Sequence, residues 1–347
     1  MTDDVICVRE GAWGRIRLNR PRALHALTEA MCRAMLDALA EWYRDPTVEA
    51  VLIDHAEGRG FCAGGDVRAA AADGDAARAF FHTEYQLNHL LFVFPKPVMA
   101  VMDGVVMGGG VGIALPARYR IATERTVFAM PEATIGLFPD VGGGWYLSRL
   151  PGRMGQYLAL TAARLNGADC LSVGLATHHL TSAKLDEAKR TLLERPAEEI
   201  ESILDGMADA PDDASLPGQQ EAIDRLFAGD ELEDILVTLE ADGNAWAQAT
   251  LANLRAKSPQ ACKVALRLLR HGRDYTDFAD EMRVEYRVAA RVCQRHDFLE
   301  GVRALLIDKD NAPRWDPATP EGVTDHLLDT IFAPLAPDEP EWEPLRL

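Results

Sequence analysis

The 347-residue chain has six cysteines, but no C-x-x-C pair and no Cys/His spacing of the metal-binding kind. Scattered cysteines in a chain of this length read as reduced, mostly buried thiols of a cytoplasmic protein and exclude a disulfide scaffold. Positive charge is in deficit: 36 Lys and Arg stand against 54 Asp and Glu, a net charge of −18. Such a chain has no field to draw in nucleic-acid phosphates or anionic lipid, so neither partner is expected. A clean apolar run is missing as well. Residues 98–116 are long enough for a membrane span, yet they hold Asp103 and five glycines, and a mid-span Asp costs about 2.5–3.5 kcal/mol. The acidic start, Met1-Thr2-Asp3-Asp4, is unlike a signal or transit peptide. The expectation is a protein without membrane segments, placed in the cytoplasm.

Several catalytic signatures are absent too. Gly110-Val111-Gly112 is followed by Leu115 where a dinucleotide fingerprint needs its third glycine. No phosphate-binding G-x-x-x-x-G-K-[ST] occurs. Cys170-Leu171-Ser172-Val173-Gly174 lacks the first glycine of a serine-hydrolase elbow. His178-His179 has no ligand spacing around it and reads as a strand end. Neither a metal nor a nicotinamide or flavin cofactor is expected.

What is present is a repeating α/β pattern. The spacing predicts a hairpin over residues 5–18, turning at Glu10-Gly11, and a helix from Thr28 to Arg44 that Asp45-Pro46 stops. Buried-strand runs then recur: residues 50–54 before Gly64-Gly65-Asp66, and residues 98–103 before Gly108-Gly109-Gly110. Two further strands follow over 119–123 and 126–130. Strand, glycine turn and helix, repeated about every 40 residues, argue for α/β architecture wound as a superhelix. Beyond about residue 185 only helical patterns remain. The expected division is an α/β core over 1–190 and a helical region over 191–347, ending in a proline-spaced, loosely packed tail.

Two features bear chemistry. Each glycine turn opens a helix, and together they could aim two backbone N–H groups at one point as an oxyanion hole; packing glycines are the alternative reading. The stretch 129–144 carries Glu132 and Asp140 in apolar surroundings with no basic partner. Burial would raise their pKa values toward acid–base work, while helix capping explains the same residues equally well. Glu84, flanked by aromatics, reads by itself as an acid on a solvated helix face.

Taken together, residues 18–27, 60–68, 107–112 and 130–144 resemble the crotonase (enoyl-CoA hydratase/isomerase) superfamily, and the likeness continues at 296–310. Phe138-Pro139-Asp140 and residues 307–310 are most similar to its hydrolase branch, which acts on 3-hydroxyisobutyryl-CoA. The resemblance implies a crotonase-like superhelix of strand–strand–helix turns with a C-terminal helical region. It also implies an acyl-CoA substrate, no cofactor beyond the CoA that the substrate carries, and a homo-oligomer, commonly a trimer, unless the helical half covers that face. A thioester carbonyl would sit between the N–H groups of Gly65 and Gly109. CoA would lie along Arg22, Ala23 and Leu24, with its adenine near Ala63, Asp66 and Val67. Glu84, Gly109, Glu132 and Asp140 would line the acyl end. His25 stands where the family usually has Asn, which alters the CoA entry turn.

Differences within the superfamily select the reaction. Hydratases resemble this chain at Glu132 but have a second glutamate at the position of Gly112 and a glycine at the position of Asp140. The resemblance therefore implies hydrolysis of a short β-hydroxyacyl-CoA to the free acid and CoA, a step of valine catabolism. Glu132 would serve as nucleophile or as base for water, and Asp140 would hold the β-hydroxyl and handle a proton. Restoring a carboxylate with Gly112→Glu is expected to introduce weak hydration. A hydratase or isomerase, and a non-catalytic acyl-CoA-binding protein, are the competing readings.

Overall fold

The computed structural model describes residues 2–347. Strands β1 (Val5–Glu10) and β2 (Trp13–Leu18) form the expected hairpin, closed at Gly11 by a positive φ of 64°. Alternation sends Ile16 and Leu18 inward. Helix α1 (Glu29–Arg44) starts at Thr28, whose hydroxyl accepts the Met31 N–H at 3.3 Å. Its apolar stripe, Met31, Met35, Leu39 and Trp42, lies against the sheet.

Three superhelical turns follow. The first comprises β3 (Ala50–His55), β4 (Gly60–Cys62), α2 (Val67–Ala72) and α3 (Gly74–Phe92). The second has β5 (Val98–Met102), β6 (Val105–Met107) and α4 (Gly109–Ala114). The third has β7 (Tyr119–Ala122), β8 (Val127–Ala129) and a 3-10 turn, Glu132–Ile135. Strand β9 (His178–His179) ends the series. Each turn gives one strand to a six-stranded sheet, β1-β2-β3-β5-β7-β9, and one to a three-stranded sheet, β4-β6-β8. Every pairing except the hairpin is parallel. The turns are uneven in length, because α3 has 19 residues and α4 only six, so the expected 40-residue period is not kept.

The last strand, β9, ends at His179 and only helices follow it, but the packing does not divide at residue 190. Helices Leu185–Leu193 and Ile200–Met207 cover the outer face of the large sheet, meeting Trp13, Leu52, Val101 and Ile121. Helices Pro259–Asp274 and Phe278–Val292 join the same apolar cluster as α1 and α3. Helix Phe278–Val292 is capped by Asp277, whose carboxylate accepts the Ala279 N–H at 2.9 Å.

The tail is not loose. Trp342 is fully buried, its indole N–H donates to the His82 carbonyl at 3.2 Å, and Glu341 pairs with Arg287. Proline spacing signals extended chain, and the anchoring indole between those prolines carries no periodic signal. Among the described residues, no helix is long and apolar enough to cross a membrane.

Candidate active site

The site forms where the two glycine turns meet. After β4 the chain turns at Gly64, whose φ of 112° is open to glycine, and Gly65 lies so close under Phe80 that a Cβ would come within 2.8 Å of its ring. After β6, Gly108 at φ 49° leads into Gly109, the first residue of α4. The Cβ direction of Gly109 comes within 3.3 Å of the Gly65 nitrogen, so the two turns are in contact. Neither the Gly65 nor the Gly109 N–H donates a hydrogen bond among the described residues. Two unspent donors at one place are the geometry of an oxyanion hole, and the packing reading does not account for them.

Three carboxyl groups converge on the same cavity of about 320 Å3. Glu84 is on the inward face of α3, 2% exposed, which overturns the solvated-face reading; its stripe also includes Phe81 and Asn88. Its Oε1 stands 2.2 Å from where a Cβ at Gly109 would be, so only hydrogen fits there. Glu132 opens the 3-10 turn after β8. Its Oε1 lies 3.0 Å from where a Cβ at Gly108 would stand, and its Oε2 has no partner. Asp140 accepts the Tyr85 hydroxyl at 2.8 Å. It caps no helix with its side chain: the following helix, Gly143–Leu147, has Gly142 at its N-cap. Val141, next to Asp140, is β-branched yet sits at φ 54°, a conformation that costs on the order of 1–3 kcal/mol and is held by its surroundings.

Electrostatics follow from burial without cations. Burial pushes Asp140 up to about 7, with the Tyr85 hydroxyl opposing the rise. Glu132 lies well above the usual carboxylate range, first from burial and then from the Asp140 charge. Glu84 is raised likewise by burial, then by Asp140 and Glu132. No guanidinium or ammonium pairs with any of the three, so burial and their mutual repulsion act unopposed by a cation. Among the described residues, no His, Cys, Asp or Glu set is arranged to hold a metal ion.

The expected CoA residues fall into two groups. Ala63 and Val67 line the cavity. Arg22, Ala23, Leu24 and Asp66 lie outside its lining; the first three belong to a separate turn, joined to the site where Leu24 accepts the Ala63 N–H at 3.0 Å. Asp66 pairs with Arg20 at 2.9 Å. Leu24 and His25 both have positive φ, and the buried His25 imidazole staples this turn. Its Nδ1 accepts the Arg20 N–H at 2.9 Å, which leaves Nε2–H to donate to the Glu57 carbonyl at 2.8 Å.

Gly112 corrects one expectation. A Cβ there would meet the Val141 Cβ at 2.5 Å and the Asn88 Nδ2 at 2.7 Å. A glutamate has no room, so Gly112→Glu is expected to disrupt the site rather than introduce hydration. Sequence reasoning also missed Tyr85, which holds Asp140, and the rim formed by Arg164 with Leu305 and Leu306 of the π-helical segment Arg303–Ile307. Tyr85 adjoins Glu84 in an aromatic-flanked helix, a signal that could have found it. The rim residues carry no such signal.

Comparison with known proteins agrees with this geometry. A model of the enoyl-CoA hydratase/isomerase family matches residues 13–332. The protein named "3-hydroxyisobutyryl-CoA hydrolase, mitochondrial" from Gallus gallus is 41% identical over 344 residues, 96% of this chain and 89% of that one. The protein of the same name from Homo sapiens is 40% identical over 345 residues, with the same coverage. A solved structure described as a carnitinyl-CoA dehydratase from Mycobacterium thermoresistibile superposes with a TM-score of 0.91 at 40% identity, over 97% of this chain and 98% of that one. Another, described as an enoyl-CoA hydratase from Rhodobacter sphaeroides 2.4.1, gives 0.87 at 39% identity, over 98% and 100%. Matched by that family model over residues 13–332 and by relatives about 40% identical over nearly its whole length, the chain belongs to the enoyl-CoA hydratase/isomerase family, the crotonases.

Proposed function

We propose that the protein hydrolyses a short β-hydroxyacyl-CoA thioester, foremost 3-hydroxyisobutyryl-CoA to 3-hydroxyisobutyrate and CoA, as a step of valine catabolism. The observation that carries the reading is the pair of unspent N–H groups of Gly65 and Gly109 beside three cation-free carboxyl groups. The relatives named as hydrolases support it. The thioester carbonyl lies between the two N–H groups, donors of a kind worth about 3–4 kcal/mol each to a developing oxyanion. Glu132 attacks as its carboxylate, and Asp140 keeps the proton that attack requires it to hold. The acyl C–O bond forms and the C–S bond breaks, giving a mixed anhydride and a CoA thiolate that takes the Asp140 proton. Water then adds to the acyl carbon, giving one proton to the Asp140 carboxylate; the bond from the acyl carbon to the Glu132 oxygen breaks, releasing the free acid and restoring the Glu132 carboxylate and the Asp140 proton. Between these steps Asp140 and Glu84 bind the β-hydroxyl, a partner that a plain acyl chain does not offer them.

Hydration is the second reading, since the two solved relatives are described as a dehydratase and a hydratase. The closed space at Gly112 disfavours it, because the second glutamate of a hydratase cannot be placed there. CoA follows the turn of Arg22, Ala23 and Leu24, with its adenine toward Ala63, Asp66 and Val67.

All six thiols are free, as suits a cytoplasmic enzyme; the relatives' names place those proteins in mitochondria. No metal or redox cofactor takes part. A thiol-release assay across a short panel of acyl-CoAs, with and without chelator, tests these points. Chelator-resistant release, highest for β-hydroxyacyl substrates, is expected. Loss of enoyl absorbance without free thiol would establish hydration instead.

A further inference from the structure

Behind the loop that carries Asp140 lies a second pair of carboxyl groups. Glu281 and Glu285 stand one turn apart on helix Phe278–Val292, and both are fully buried. Glu285 Oε2 accepts the Gly142 N–H at 2.8 Å, and its Oε1 accepts the Gly144 N–H at 3.4 Å. Neither Glu281 oxygen has a hydrogen-bond partner among the described residues, and the charge of Glu281 adds to the rise that burial imposes on Glu285. Glu281 Oε1 also fills the place where a Cβ at Gly144 would stand, 2.1 Å from it, so the loop and the helix interlock. The loop needs such support. Val141 at φ 54° and Gly142 at φ 89° follow Asp140 directly, and the buried N–H groups beyond them would otherwise be orphaned.

We infer that Glu285 is a positioning residue for Asp140: by holding the N–H groups of Gly142 and Gly144 it fixes the strained turn that presents Asp140 to Tyr85 and to the substrate β-hydroxyl. This rests on the hydrolase reading and deepens it, because it assigns part of the preference for β-hydroxyacyl thioesters to the C-terminal helical half. The groups facing the pair are Tyr85, Asp140, Tyr146, Arg149 and Tyr275. Burial raises both glutamates, Glu281 to about 7 and Glu285 well above the usual carboxylate range.

The test uses the full chain and compares 3-hydroxyisobutyryl-CoA with isobutyryl-CoA by thiol release, with thermal melting recorded for each variant. Glu285→Leu removes the acceptor at similar volume. It should lower kcat on the hydroxyacyl substrate roughly 10–100-fold, the scale of a misplacement of about 1 Å, and change isobutyryl-CoA hydrolysis only a few-fold. Glu285→Gln keeps an acceptor for Gly142, so it should restore activity to within a few-fold of wild type on both substrates. Should Glu285→Leu fail to fold, Glu285→Asp, one methylene short of Gly142, should show the same substrate-selective loss. Equal losses on both substrates, or a Gln variant no better than Leu or Asp, would overturn the positioning role while leaving the hydrolase reading intact. A wild type that releases no thiol from either substrate would overturn the hydrolase reading and this role with it.

Discussion

At Glu132 one carboxyl oxygen lies against Gly108 and the other has no partner, so the isosteric amide changes its chemistry with little change of shape. Glu132→Gln should lower kcat for thioester hydrolysis by several powers of ten with little change in KM. Asp140→Asn keeps the nucleophile and loses the proton carrier beside Tyr85. Its loss should be larger on 3-hydroxyisobutyryl-CoA than on isobutyryl-CoA, and equal losses would remove the link to the hydroxyl. The pH profile belongs to the same residues. Asp140 must hold its proton until the thiolate takes it, and burial pushes its pKa up to about 7. kcat/KM should therefore fall as pH rises through a limb near 7. A limb near the unperturbed carboxylate value of about 4 would contradict the cation-free cluster.

At the scale of elements, legibility followed the reach of each signal. The hairpin, α1 and the strand series were readable because alternation, helical spacing and the Thr28 cap are local patterns. Glu132, Asp140 and the glycine turns were visible as chemistry, and the family resemblance supplied their roles. Glu281 and Glu285 were not visible. On a helix rich in Glu and Arg, acids at that spacing read as a solvated face, and only tertiary packing shows that this face meets the Gly142–Gly144 loop. Gly112 illustrates the same limit, since its missing carboxylate is legible but the Val141 and Asn88 atoms that close the space are not. Trp342 is the third case. Its burial against α3 predicts that Trp342→Ala costs about 3–5 kcal/mol and lowers the melting temperature by several degrees. A variant that melts with wild type would mean that the tail is not anchored there.

For the whole molecule, five buried carboxyl groups set against an overall charge of −18 determine how stability responds to pH. Their folded-state pKa values are raised, so between the unfolded values of about 4 and the folded ones the native state holds protons that the unfolded chain has released. Stability then falls as pH rises through that window, by up to about 1.4 kcal/mol per group for each pH unit. Surface acids act in the opposite sense. Glu300, held down to about 2 by Arg303, contributes stability above its unfolded value that is lost as pH falls through the folded one. The melting temperature should consequently be highest under mildly acidic conditions and decline toward pH 9, and a Glu281→Gln/Glu285→Gln double variant should flatten the decline.

The central claim is that the chain cleaves thioesters through Glu132 rather than hydrating enoyl bonds. It is tested most directly by following free thiol and enoyl absorbance together, for wild type and Glu132→Gln, on 3-hydroxyisobutyryl-CoA and on methacrylyl-CoA. The account predicts one equivalent of thiol released from the hydroxyacyl substrate by wild type, unchanged enoyl absorbance, and almost no thiol from Glu132→Gln. Near-normal release by Glu132→Gln, or enoyl absorbance lost to wild type without thiol, would contradict it.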